Sequence, residues 1–226
     1  MKQEEQEEQE ETEFVEQAFQ KLKERGWFAD QKLERSAVTE EEIAAFEARH
    51  QVTLPSLYKA YLMSYRIPDR KYIMSIMEDP NRDWEYSGGP LWLDLRGAVT
   101  MEELENWMEI LQEIRDYCDL PEESFHYLIP IGDWGAGWGP LCLDLSREGS
   151  VDPKNADTWS VVWFDHEDFE WEQSYLGEDG LLHGQPAAPD FKTLLEWYFC
   201  GSLEAEFEAA TGVKPTYEWY QNGAHF

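Results

Sequence analysis

Basic residues are scarce in this 226-residue chain: 18 Lys and Arg stand against 48 Asp and Glu, for a formal net charge of -30 at pH 7. Such a field repels phosphate backbones and anionic headgroups, so direct binding to DNA, RNA or an acidic membrane is disfavoured. Cysteine is equally sparse. Cys118, Cys142 and Cys200 are odd in number and far apart, with no Cys-x-x-Cys pair, which argues against a disulfide framework or a zinc knuckle and fits a reduced cytoplasm. Long apolar runs are missing: none approaches the roughly 18 residues of a membrane span, and the Glu/Gln-rich start lacks the apolar stretch of a signal peptide. The expected location is therefore the cytoplasm. There is no internal repeat, and no motif pairing a nucleophile with a base.

What is abundant is aromatic. Trp, Tyr and Phe number 11 each, 15% of the chain, far too many for a disordered protein. The length suits one domain with a real core. Residues 1–12 form an acidic low-complexity tail expected to fray, and residues 13–226 a single domain with helical extensions at both ends. The excess of acid favours a basic protein partner, and it also keeps an aromatic-rich surface soluble.

Periodicity places the elements. Phe14, Val15, Ala18, Phe19 and Leu22 recur at helical spacing up to Gly26. Thr39 followed by Glu42 is a capping box opening a helix that buries Ile43 and Phe46. Pro55 starts another, with Leu57, Tyr58, Tyr61, Leu62 and Tyr65 on one stripe. Strands are predicted over 72–77 and 91–95, flanking an acidic loop. Thr100 and Glu103 form a second capping box, for a helix carrying Leu104, Trp107, Met108, Leu111 and Ile114 and ending before Pro121. Three β-rich runs between Tyr127 and Phe164 follow, split by a glycine hinge (Gly135, Gly137, Gly139) and by a turn at Asp152, Pro153 and Asn155. Helices over 191–198 and 203–210, the latter stopped by Gly212, complete an α+β pattern: a mostly antiparallel twisted sheet with helices packed on it.

Candidate site residues lie where acid and aromatic groups interleave in turns. One patch is Asp79, Asp83, Trp84, Glu85 and Tyr86; a second is Asp133, Trp134 and Trp138 at the glycine hinge; a third is Asp165, Glu167 and Asp168, continued by Phe169, Glu170, Trp171 and Glu172. Trp and Tyr supply contact area at low entropy cost while carboxylates meet Lys and Arg, so all three read as partner-binding surface. The glycine hinge has no following Lys and sits beside an acid, which disfavours a phosphate site. His166 has no second His or Cys at ligand spacing, which disfavours a metal. No catalytic residue and no cofactor is predicted. Paired carboxylates among many Trp leave a carbohydrate-binding or carbohydrate-active protein as a further reading.

The ordered set Val38 to Glu47, Leu54-Pro-Ser-Leu-Tyr-Lys-Ala-Tyr-Leu62, Ile129-Pro-Ile-Gly132, Leu141 to Leu145 and Val161 to His166 resembles the SMI1/KNR4 family of the SUKH superfamily, over residues 38–199. Two departures stand out: Ser64-Tyr-Arg-Ile-Pro68 replaces the Asn-Gly many relatives carry there, and the helix from Thr100 to Tyr117 looks like an addition. The resemblance implies an α+β SUKH-like fold. It also implies a non-enzymatic immunity protein that binds and neutralises a cognate bacterial toxin of a polymorphic or contact-dependent system, often a nuclease. Fungal relatives imply the alternative of a regulatory interaction adaptor.

Overall fold

The apolar runs become the middle of a six-stranded sheet in the computed structural model, which describes residues 2–26, 32–66, 73–74, 92–94, 100–134, 139–147, 152, 154–168 and 170–212. The strands are β1 Ile73–Met74, β2 Trp92–Asp94, β3 Leu128–Trp134, β4 Gly139–Asp144, β5 Val161–Trp163 and β6 Gln185–Ala188, paired in chain order, each antiparallel to the next. The central runs do not alternate apolar with polar because both faces are covered. Ile129, Ile131, Leu141, Leu143 and Val161 point into one core, and Leu128, Cys142, Val162 and Phe164 into another. Period-two side-chain alternation thus feeds two apolar layers.

The larger core lies under the helices α1 Lys2–Glu24, α2 Glu40–His50, α3 Ser56–Ser64, α6 Phe191–Tyr198 and α7 Ser202–Thr211. Its centre is aromatic: Phe19 stacks on Tyr61 at 5.7 Å and meets Phe199 edge-on at 5.1 Å, and Tyr61 meets Phe191 at 5.3 Å. Such offset and edge contacts add to burial because ring edges and faces carry opposite partial charge. Arg25 locks the layer, donating to the carbonyl of Tyr198 and pairing with Glu204 at 2.6 Å. The smaller core, on the opposite face, contains Leu111, Trp171, Tyr175 and Leu182. Helix α4 (Met101–Tyr117) serves both, with Leu104 in the first and Leu111 in the second. Glu105 ties it to α2 through Arg49 and through His50 at 2.8 Å.

Helix starts follow their caps. The Thr39 side chain accepts from the Glu42 amide while the Glu42 carboxylate accepts from the Thr39 amide, and Thr100 accepts from the Glu103 amide. Thr39→Ala is expected to lower stability by about 1 kcal/mol, measured by urea unfolding, since one side-chain acceptor for an orphan N–H is lost. Gly26 and Gly212 end α1 and α7 with positive φ, as their spacing predicts.

Two local expectations change. The helix predicted from Glu13 begins at Lys2, because Glu and Gln are good helix formers. Gln6 and Gln9 reach Glu10 and Glu13 one turn on, and Ser56 donates to Glu11. Strand β6 carries no sequence signal, since Gln-Pro-Ala-Ala is poor in β-formers. It forms because it completes the edge of β5, where the missing Pro186 N–H is tolerated, and Ser160 donates to the Pro189 carbonyl next to it.

Candidate functional site

The turn after β5 is built by its own carboxylates. Asp165 Oδ1 accepts from the Glu167 amide at 2.9 Å and Asp168 Oδ1 from the Glu170 amide at 2.9 Å. Both are Asx turns, in which a short carboxylate satisfies a backbone N–H two residues on. The Asp165 backbone is then clamped from below. Its N–H donates to the Tyr175 hydroxyl and its carbonyl accepts from Trp171 Nε1, each at 3.1 Å. Trp171, in the short helix α5 (Trp171–Ser174), is buried, stacked on Phe164 at 4.9 Å and edge-on to Tyr175 at 5.5 Å. Asp165 and Asp168 are half-buried and Glu167 is exposed, so the acidic groups sit on a turn pinned to the second core.

Ser174 and the Glu170 amide hydrogen-bond Asp168 and hold its carboxyl below the usual carboxylate range. Because the folded-state value is depressed, this stabilisation is present above the ordinary carboxylate pKa and disappears only as pH falls through the lower one. Asp168 therefore keeps its charge in mildly acidic solution.

Across from this turn runs the outer face of α4. Ile110, Ile114 and Tyr117 recur at i, i+4 and i+7, a second apolar stripe beside the buried one of Leu104 and Leu111. Ile110 is 41% and Tyr117 74% exposed. Together with Cys118, His166, Asp168 and Trp171 this stripe lines a groove of about 330 Å³. Burial pushes the Cys118 thiol up and the Asp168 charge adds to that, so Cys118 stays protonated and contributes apolar wall. Glu113 and Asp168 stand at the rims.

The sequence-derived candidates divide. Asp165, Glu167 and Asp168 come together as one surface. Asp133 is half-buried on β3 opposite Pro140, whose carbonyl accepts from the Phe164 amide, so it lies two strands over from the base of the same turn. Trp134 is corrected from contact residue to core: it is 1% exposed and edge-on to Tyr198, because β3, past its irregularity between Pro130 and Gly132, turns this side chain into the larger core. Trp171 is likewise core rather than surface. Asp79, Asp83, Trp84, Glu85, Tyr86 and Trp138 lie outside the described residues. Ile110 and Tyr117 were missed; their signal was the second i, i+4, i+7 stripe of α4.

A second polar chain links Arg147, His183 and Asp179. Arg147 Nη2 lies 3.0 Å from His183 Nδ1, and a guanidinium only donates, so His183 Nδ1 accepts and Nε2–H donates to Asp179 at 3.0 Å. That bond lowers the Asp179 pKa first among its causes. Among the described residues no group of three or more His, Cys, Asp or Glu is placed to hold a metal ion, and no helix is long and apolar enough to cross a membrane.

Comparison with curated proteins and with solved structures returns no match. The sequence model of the SMI1/KNR4 family (SUKH-1), however, matches residues 37–197, a span from just before α2 to the penultimate residue of α6 that takes in the sheet, the smaller core and the acidic turn, but not the α1 residues of the larger core or Phe199 and Leu203. The chain belongs to the SMI1/KNR4 family (SUKH-1).

Proposed function

We propose that this protein is a non-enzymatic immunity protein of the cytoplasm that binds one cognate toxin domain stoichiometrically and masks its basic, functional surface, a nuclease groove being the kind of target its charge suits. Membership of a family whose bacterial members are mostly immunity proteins supports the class. The observation that carries the reading to a place on the molecule is the pinned acidic turn, Asp165, Glu167 and Asp168, facing an exposed apolar stripe. Rigid carboxylates lose little entropy when they meet Lys or Arg, and a net charge of -30 steers a basic partner toward them.

Co-expression with the product of the adjacent upstream gene tests the reading. Rescue of growth together with a one-to-one complex is the expected result, and toxicity unrelieved with no complex formed would end it. The contribution of the turn is read with Asp165→Asn, Glu167→Gln and Asp168→Asn combined, because amides keep the Asx acceptors while removing three charges. Association at low salt should slow roughly tenfold and become less salt-sensitive, while the unfolding midpoint falls only slightly, through the charged-form hydrogen bonds lost at Asp168. Unchanged kinetics would place the interface elsewhere.

A further inference from the structure

Resting on that reading, we infer that the groove between α4 and the β5–α5 turn seats a short partner segment in which one or two aliphatic or aromatic side chains are flanked by Lys or Arg. The groove has two kinds of surface, and each selects something different. Its walls are apolar: Ile110, Ile114 and Tyr117 on α4, with Trp171 and the protonated Cys118 between them and the turn. Of the three large hydrophobic side chains that are exposed among the described residues, Ile110, Tyr117 and Tyr127, two lie on this stripe, and grouped exposed apolar side chains mark interaction sites. At about 330 Å³ the cavity is at the low end of ligand sites, which run roughly 300–1,000 Å³, so it fits anchoring side chains better than a whole metabolite.

The surroundings are acidic and almost free of Lys and Arg. Glu113 on α4 and Asp168 across from it line the groove together with His166, while Glu109 and Asp116 are exposed elsewhere on α4 and Glu167 on the turn. From residue 100 to 134 the only Lys or Arg is Arg115, which already donates to Asp116 at 2.6 Å, and from 155 to 191 there is none. An apolar anchor that entered without basic neighbours would leave these carboxylates facing an uncharged partner. One with basic neighbours gains both terms. A second copy of this chain is disfavoured as occupant by the same argument, because it would bring acid against acid. Small-molecule recognition is disfavoured because the polar groups here are solvent-facing carboxylates rather than a few buried, convergent donors.

The shape of the recognition is that of a hot spot inside a charged ring. Tyr117 and Ile110 make the anchoring contact on a floor already held by Trp171, and the carboxylates exclude like-charged partners and speed encounter. Rigidity of the floor matters, since Trp171 Nε1 and the Tyr175 hydroxyl fix the Asp165 backbone and with it the far wall.

Fluorescence anisotropy on the full chain tests this with two labelled synthetic peptides, one Lys-rich with a central Leu and Phe, the other identical but with Gly at those two places. The anchored peptide is expected to bind about tenfold more tightly at high salt, where the charge term is screened. Tyr117→Ser and Ile110→Asn should each abolish that difference while leaving the low-salt, charge-driven binding of both peptides. Both residues are exposed, so folding should survive, and amide chemical-shift changes clustered on α4 and residues 165–171 of the unmutated chain give a second readout. Equal binding of the two peptides, or an anchored advantage that survives both substitutions, overturns the groove. Toxin rescue that is equally strong with the groove variants overturns it too and leaves the proposed function standing. Peptide binding as described without any toxin rescue sinks the proposed function and leaves the groove.

Discussion

Gly139→Ala is expected to cost more than about 4 kcal/mol and to leave the chain largely unfolded at ordinary temperature. Gly139 has φ +151°, a conformation that side chains rarely adopt, and a Cβ built there would lie 1.9 Å from the Phe164 carbonyl oxygen and 3.0 Å from the His166 amide. Those neighbours are backbone, so no rotamer change relieves the clash. Either β4 separates from β5 or Gly139 loses its place opposite Trp134 on β3. Both moves open the middle of the sheet, and the first also shifts residues 164–166, on which the acidic turn stands. Gly180→Ala is the informative control: φ there is +79° but nothing lies within 4 Å, so only backbone strain of about 1–2 kcal/mol applies. Urea unfolding of the pair separates the two costs. If Gly139→Ala were no worse than Gly180→Ala, close approach of β5 would not be what demands glycine at 139.

Trp171→Ala is expected to cost about 3–5 kcal/mol, the usual range for emptying a large aromatic site in a core. The ring is 1% exposed and stacked on Phe164 and Phe125. Its second role gives the sharper test. Trp171→Phe keeps most of the stacking but removes the Nε1–H bond to the Asp165 carbonyl, so stability should fall by about 1 kcal/mol. Partner association should weaken by more than that loss of stability explains, because the far wall of the groove is no longer fixed. If Trp171→Phe binds a partner as the parent does, the clamp on Asp165 is not part of recognition.

These two residues also measure how much was legible beforehand. Gly139 was marked by its spacing with Gly135 and Gly137 and read as part of a hinge. The need for glycine was correctly located, but its cause is the passage of another strand, whose residues come some 25 positions later in the chain. By their acidic sequence neighbours Trp171 and Trp134 look like surface. Sequence neighbours say little about burial at a strand end or in a one-turn helix, where direction is set by the packing partner. For Ile110 and Tyr117 the periodicity was present, but a helix with two apolar stripes reads as a wide buried face until it is known how many neighbours it has.

Determined by the sequence alone were the Thr39–Glu42 capping box and the Thr100 N-cap, the starts of α2, α3 and α4, the central strands, the α+β class and the acidic character. Each depends on hydrogen bonds, backbone preferences or composition within a few residues, and the ordered motifs were enough to indicate the family. Tertiary structure alone decided that the sheet is covered on both faces, that Gln185–Ala188 is its edge strand, and that Asp165–Asp168 faces α4 across a groove. Those outcomes rest on contacts between segments dozens of residues apart, whose free energy is set by what each surface finds to bury against rather than by any local preference.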